Sequence, residues 1–350
     1  VAKVITAGTS ASNNWAWVVG PAANKTNSST IFYVQGTGTN SGYYANWNSG
    51  EPNGSGWGEY VAQITSGAYP TWNDLVPTSA SYQYYTETNR APSALSVTAP
   101  GGVTFHGGIG GLKPLASLSV TGNASLGSSA NKIVTTGAIS VSGSLSLGAD
   151  TAIDSQGNAA NGNTIGVPSS AGNGTISIGS ISAVAKNLSI YTGTSTLALP
   201  TLSAAALTVN STNNTSSAVT QTGIFTLTGG LTYSGAAAGV MTLSNASNSI
   251  AGNLTINSGI LVVTNSSYLG SYAASLATYS GGITNNGTLQ YSSSINQTFS
   301  GVISGSGAIT KDTSSSSTLT LSNTSNTYSG LTTIASGVVS VTSDASLGSN

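Results

Sequence analysis

Acidic side chains are gathered in one stretch of this chain, residues 46–74, NWNSGEPNGSGWGEYVAQITSGAYPTWND. The chain has only eight acidic residues in 350, yet Glu51, Glu59 and Asp74 all fall in this stretch. The amide side chains of Asn53 and Asn73 accompany them. A hard cation such as calcium takes about six to eight oxygen ligands, and carboxylates with amide carbonyls supply such oxygens. The pattern therefore predicts a calcium site formed by these five residues.

The composition excludes several kinds of partner and site. Only 4% of the residues are charged and the net charge is −1, so the chain has no basic surface for nucleic acid or for an anionic membrane. Cysteine is absent, which excludes disulfides and thiolate metal sites. No apolar run approaches the roughly 18 residues of a membrane span. With 38% hydrophobic residues and little net charge, we expect the chain to fold.

Catalytic groups are scarce. The only histidine, His106, has no carboxylate or nucleophile near it in sequence, and we expect it to face solvent. Asp150 and Asp154 stand in no catalytic motif, and turn capping by a short acid explains them better. Lys311 and Asp312 are adjacent in a predicted turn, where we expect them to be solvated. The seven basic residues are scattered singly, so we expect no enzyme.

The sequence changes character near residues 88–95, TNRAPSAL. All five tryptophans precede residue 73, whereas the sequence after Arg90 is rich in Ser, Thr, Gly, Val and Leu. Pro92 lies within the predicted linker. We predict two domains, residues 1–90 and 91–350.

The second domain contains an internal repeat. Residues 242–271 align without a gap to residues 320–349, at an offset of 78. An ungapped repeat of this kind indicates a stacked array rather than a single globular core. Segments such as LTIN, ILVVT, TLTL and AISVSGSLSL alternate apolar with small polar residues, as β-strands do. We predict an all-β solenoid of about ten to thirteen coils over residues 95–350, with about 20 to 26 residues a coil.

Residues 299–349, FSGVISGSGAITKDTSSSSTLTLSNTSNTYSGLTTIASGVVSVTSDASLGS, resemble the autotransporter-associated β-strand repeat of bacterial surface passengers. Residues 101–122 resemble the coils of large haemagglutinin-like adhesins. These resemblances imply a right-handed parallel β-helix held outside the cell. The chain opens at Val1 without a Met and stops at Asn350 inside a repeated unit. We therefore expect a processed chain or a piece of a longer one.

The first domain carries a second resemblance. The segments NWAWVVG, YYANWNSGEPN, GEYVAQI, PTWNDL and YQYYTE, within residues 15–87, follow in the order and approximate spacing of the C-terminal half of a C-type lectin-like domain. The family's helical first half is missing or reduced to about fourteen residues, and its disulfides have no cysteines here. The predicted fold class is therefore an all-β, right-handed parallel β-helix (solenoid) with a truncated, cysteine-free C-type lectin-like domain at its N-terminus.

The lectin resemblance implies roles for the clustered side chains. It makes Glu51 and Asn53 the long-loop ligands of calcium, Glu59 the next carboxylate, and Asn73 with Asp74 the ligands on a strand. In the family, Glu-Pro-Asn implies a preference for mannose-type sugars, because Glu51 and Asn53 would each contact both the ion and a sugar hydroxyl. Trp57, in the same loop, is the third predicted glycan contact.

Two functions follow from these observations. The first is a segment of an extracellular bacterial adhesin, in which a solenoid stalk presents a calcium-dependent, glycan-binding lectin-like head at the cell surface. The alternative is a structural subunit or segment of an extracellular filament or sheath, glycosylated or not, whose lectin-like part packs against a neighbouring copy. The predicted partners are accordingly glycans or a copy of the chain itself.

Overall fold

A computed structural model of the chain describes residues 93–110, 114–157, 173–270, 277–313 and 315–349, together with the backbone of six short strands before residue 76. The chain divides into two compact units, Val1–Arg90 and Ala91–Asn350.

The described strands of the first unit are antiparallel. Four of them form one sheet in chain order: β1 Lys3–Thr6, β2 Asn14–Val18, β3 Ile31–Val34 and β4 Gly38–Thr39. Two more form a pair: β5 Val61–Ile64 and β6 Trp72–Leu75. The lectin-like identity of this unit stays a prediction.

The described strands of the second unit pair in parallel and form three sheets. The largest contains β7 Ala94–Thr98, β8 Val103–Phe105, β9 Ser117–Thr121, β10 Ala124–Leu126, β11 Lys132–Val134, β12 Ile139–Leu147, β13 Thr151–Asp154, β14 Ile176–Thr192, β16 Thr201–Ser211, β18 Phe225–Leu227, β19 Leu231–Ser234, β21 Ser249–Ile250, β22 Leu254–Ser258, β25 Ile283–Asn285 and β28 Ile303–Ser304. A second contains β15 Leu197–Leu199, β17 Val219–Gln221, β20 Val240–Leu243, β23 Ile260–Asn265, β26 Thr288–Ser293, β29 Ala308–Lys311 and β31 Thr332–Ile334. The third contains β24 Ala277–Tyr279, β27 Gln297–Phe299, β30 Thr318–Leu321 and β32 Val338–Val341.

Successive strands of the chain lie on three faces that are visited in turn. From β23 to β30 the strands lie in turn on the second, third and largest sheets, and strands one turn apart pair with each other, as β23 does with β26 and β24 with β27. After residue 173, hydrogen bonds between successive coils join residues 19 to 29 apart, close to the predicted coil length. The second unit is therefore a parallel β-solenoid of about ten turns, which confirms the predicted solenoid. Its right-handed sense stays a prediction.

Alternation along each strand explains the core. In β30, Leu319 and Leu321 are fully buried while Thr318 and Thr320, which alternate with them, are partly exposed. Because parallel neighbours are in register, inward side chains stack on their equivalents one coil away. One such ladder, at most 1% exposed at every step, contains Leu188, Leu207, Leu231, Leu254, Ile283 and Ile303. Burying each such side chain contributes about 1.5–3 kcal/mol.

The strand predictions hold in detail. LTIN, ILVVT and TLTL fall in β22, β23 and β30, and ISVSGSLSL is β12. The helical structure among the described residues is one 3-10 turn, Asp344–Leu347.

The sequence repeat is out of phase with the turns of the solenoid. At an offset of 78 residues, β22 corresponds to β31 and β23 corresponds to β32. Yet β31 lies in the sheet of β23, and β32 lies in the sheet of β30. The second copy is therefore displaced by three turns and one further face. One sequence serves different faces because each face demands the same alternation of apolar and small polar residues.

Candidate functional site

The structure does not test the predicted calcium and glycan site. Four of its residues lie outside the described residues: Glu51, Asn53, Trp57 and Glu59. Asn73 and Asp74 belong to β6, where Asn73 pairs with Gln63 and Asp74 with Ala62 of β5. The pairing places these two predicted ligands on a strand, and calcium binding stays a prediction.

Two acidic side chains of the solenoid, Asp150 and Asp154, accept hydrogen bonds from backbone N–H groups. The Asp150 carboxylate accepts hydrogen bonds from Asn187 N at 2.9 Å and Asn187 Nδ2 at 3.1 Å, which ties its turn to the next coil. Asp154 Oδ1 accepts the N–H of Gln156 at 2.8 Å, two residues further on, and this bond confirms the predicted turn capping. Within the part of the solenoid that the structure describes, no three His, Cys, Asp or Glu side chains are grouped as metal ligands. His106 is exposed, as predicted.

The prediction of a solvated Lys311 is wrong. Lys311 is fully buried. It faces inward on β29 together with Ile309, two residues earlier, and its ammonium donates to the carbonyl of Thr313. The ammonium also lies 5.9 Å from the centre of the Tyr291 ring, within reach of a cation–π interaction. Burial lowers the pKa of Lys311, and the neighbouring Asp312 carboxylate partly offsets this effect. Asp312 accepts hydrogen bonds from Gln290 Nε2 and Ser292 Oγ, both at 2.6 Å.

A buried asparagine joins three coils in each copy of the repeat. Asn248 is 2% exposed, and its Oδ1 accepts the N–H of Phe225 on the preceding coil at 3.0 Å. Its Nδ2 donates to Ser267 Oγ on the following coil at 3.4 Å. Asn326, its counterpart at an offset of 78, accepts from Ile303 N at 2.8 Å and donates to the carbonyl of Ser346 at 2.7 Å. Both copies of the repeat therefore contain a buried asparagine that hydrogen-bonds the preceding and the following coil, although the copies lie on different faces.

The turns of the repeat are conserved between the copies as well. Asn245 Oδ1 accepts the N–H of Ser247 at 2.9 Å, and Asn323 Oδ1 accepts that of Ser325 at 2.8 Å. Glycines with positive φ also recur. Gly259 and Gly337 directly precede a strand in the first and second copy, and Gly270 and Gly348 lie at the end of each copy. These turns need glycine because side chains rarely adopt such backbone angles.

The sequence analysis did not find the buried asparagines Asn248 and Asn326 or the inward-facing Lys311, although the sequence contains a signal for each. Asn248 and Asn326 occupy the same position in the SNxSN segments of the two repeats. Lys311 follows Ile309 by two residues, so the period of a strand places both side chains on the same, inward side.

Comparison with known proteins agrees with this geometry. A family model described as the passenger-associated-transport-repeat matches residues 238–263 and 314–341. Each matched segment covers about one turn of the solenoid, from β20 into β23 and from β30 to β32. Passenger-associated repeats in a β-solenoid fit the stalk of an autotransporter passenger or a similar adhesin. They point to a secreted, surface-exposed protein.

One curated protein offers a further similarity. The chain is 34% identical over 95 residues to Halomucin of Haloquadratum walsbyi. The match covers 27% of this chain and 1% of that much longer protein. No solved structure matches the chain. The helical part of the described residues contains no segment that is long and apolar enough to cross a membrane.

Proposed function

We propose that this chain is a segment of an extracellular bacterial adhesin of the autotransporter-passenger class. The observation that supports it best is the coincidence of the passenger-associated repeats with single turns of a parallel β-solenoid. The solenoid carries four acids and four lysines after residue 90, so neither sign of charge dominates its surface. Stacked coils with little net charge suit a stalk that projects a binding unit from the cell.

The binding unit of the proposed adhesin is the first unit, acting as a calcium-dependent lectin-like head. The support is its sequence: three carboxylates and two amides fall in residues 46–74 of a chain that has few acids. Oxygen ligands of this kind suit calcium, and a sugar diol completes the coordination shell. The proposed glycan contacts are Glu51, Asn53 and Trp57, with a preference for mannose-type sugars.

Glycan binding tests this proposal. We expect the chain to bind a mannose-terminated oligosaccharide on a printed array in calcium and to lose that signal in EDTA. Glu51→Gln removes one predicted ligand charge and should abolish the calcium-dependent signal. Glu87→Gln is the matched control, because Glu87 is an acid of the same unit outside the predicted site, and it should bind as the parent does. A mannose signal in calcium that Glu51→Gln leaves unchanged would contradict the proposed head.

The second candidate function is a structural segment of a filament or sheath. The low charge of the solenoid favours it, because four acids and four lysines after residue 90 leave little net charge to repel a neighbouring copy. Negative-stain microscopy separates the candidates: fibres support the filament, and single short rods support the adhesin.

A further inference from the structure

A neutral groove of about 310 Å³ opens on the solenoid where β14, β16 and β19 turn toward the next face. Tyr191, Asn210 and Ser234 occupy the same position on these successive strands. Neighbouring parallel strands lie about 4.8 Å apart, so the three side chains span about 10 Å. Gln156, Ser211 and Thr212 complete the polar part of the lining. The groove therefore offers amide, hydroxyl and phenol groups along the length of a short oligosaccharide.

Three polar side chains of the lining have no hydrogen-bond partner among the residues that the structure describes. Gln156 is 3% exposed, and its backbone N–H donates to Asp154. Its side-chain amide makes no hydrogen bond in the part of the chain that the structure describes, and the same holds for the amide of Asn210 and the hydroxyl of Tyr191. Asn210 and Tyr191 are partly exposed, and none of the three side chains contributes a fully buried polar atom without a partner. Their donors and acceptors are therefore open to a polar ligand or to water in the groove.

Three Tyr-Ser-Gly motifs differ in the hydrogen bonding of their tyrosine hydroxyls, and one of these hydroxyls has no partner. The hydroxyl of Tyr279 donates to the carbonyl of Gly252 at 2.5 Å, and that of Tyr328 lies 2.8 Å from Thr332 Oγ1. The hydroxyl of Tyr233 has no partner, and among the described residues it is the one buried side-chain polar atom in that state. It lies directly beneath Gly235, which lines the groove and where a side chain would collide with it. Burial raises the pKa of Tyr233 to about 12, so the hydroxyl keeps its proton at neutral pH.

The chemistry of the lining selects the ligand class. No side chain in it is charged at neutral pH, which disfavours phosphates, sulfates and acidic sugars, because these need basic partners. A cation would need carboxylates. An extended peptide would need a free strand edge, whereas β14, β16 and β19 are each paired on both sides. Tyr191 is partly exposed while the other described tyrosines are buried, so its ring can pack against the C–H face of a sugar.

We propose that this groove is a binding site for a neutral carbohydrate on the side of the solenoid, separate from the calcium site and independent of calcium. Gln156, Asn210 and Ser234 hydrogen-bond the sugar hydroxyls, and Tyr191 packs against a sugar ring.

An array of neutral and acidic oligosaccharides, probed in EDTA so that any calcium-dependent head is silent, tests the proposal. We expect binding of at least one neutral oligosaccharide in EDTA. Thr212→Arg places a long side chain at an exposed position of the groove and should weaken that binding at least tenfold. Thr226→Arg is the matched control, since Thr226 is an exposed strand residue outside the groove, and it should bind as the parent does.

Tyr191→Phe and Tyr191→Ala refine the test. Tyr191→Phe keeps the stacking ring and should retain most of the affinity, whereas Tyr191→Ala should lose it at least tenfold with an unchanged circular dichroism spectrum. The absence of any neutral glycan binding in EDTA would overturn the proposal, and so would equal binding by Thr212→Arg and Thr226→Arg. Because the array is probed without calcium, the result for the groove does not depend on whether the lectin-like head binds glycans.

Discussion

Asn248 and Asn326 illustrate how single residues join the coils of a chain with few charges. Each side chain accepts from one coil and donates to another, so both ends of a buried amide are satisfied. An amide needs no counter-ion and carries a smaller desolvation cost than a charge. In this solenoid, therefore, side-chain amides hold positions where many proteins would place ion pairs.

Lys311 is the exception at the residue scale, and its burial gives a pH prediction. Folding lowers its pKa, so between the folded pKa and the usual value of 10.5 the unfolded chain binds more protons than the folded chain. Stability should therefore rise with pH over this range and stay at its lower level below it. Lys311→Met keeps the length of the side chain without the charge, and we expect it to add about 1–3 kcal/mol at pH 7.

The measurement is urea unfolding of both proteins, followed by circular dichroism from pH 7 to pH 10. The advantage of Lys311→Met should shrink as the pH rises, because the parent lysine loses its proton in the folded state. The pKa of the nearby Tyr291 is raised to about 12 by burial, but this residue is common to both proteins and cancels in the difference. A parent more stable than Lys311→Met at every pH would show that the bond to Thr313 outweighs the desolvation cost.

At the scale of the element, alternation and turn chemistry made the strands predictable. The alternating segments LTIN and TLTL became β22 and β30 because alternate residues of a strand face opposite sides. The face on which each strand lies could not be read in the same way. The strands of both repeat copies fit any of the three faces. The face on which a strand lies therefore depends on the number of residues in the turns before it.

The groove on the solenoid could not be predicted from the sequence for the same reason. Gln156 lies 35 residues before Tyr191, and Tyr191 lies 19 residues before Asn210; no motif connects them. They meet because the turns between β13 and β19 have particular lengths, which period-two patterns do not encode. The acidic cluster at residues 46–74 could be found from sequence because its members are close along the chain.

A glycine substitution tests the turn chemistry of the repeat. Gly259 has a φ of 81°, and an added Cβ would lie 2.9 Å from the carbonyl oxygen of Gly239 on the preceding coil. Gly259→Ala should therefore destabilise the solenoid by at least about 1–2 kcal/mol, measured by urea unfolding. Gly107→Ala is the control, because nothing lies within 4 Å of its added Cβ, and it should change stability by less than about 0.5 kcal/mol. Equal effects of the two substitutions would contradict the assigned role of Gly259.

At the scale of the whole molecule, the proposed function divides two tasks between two units. The solenoid supplies length from repeated turns, and its stability is the sum of many similar coil interfaces. The first unit supplies the calcium-dependent recognition in our proposal, and it holds all five tryptophans of the chain. Tryptophan fluorescence therefore reports the unfolding of this unit while the solenoid contributes no tryptophan signal.

The most direct test of the central claim is thermal unfolding followed by tryptophan fluorescence, in calcium and in EDTA. An ion at about a hundred times its dissociation constant adds about 2.7 kcal/mol to the stability of the unit that binds it. We predict a melting temperature several degrees higher in calcium, and loss of that shift when Glu51→Gln is combined with Asp74→Asn. Coincident melting curves in calcium and EDTA would contradict the calcium-dependent head and leave the filament as the better account.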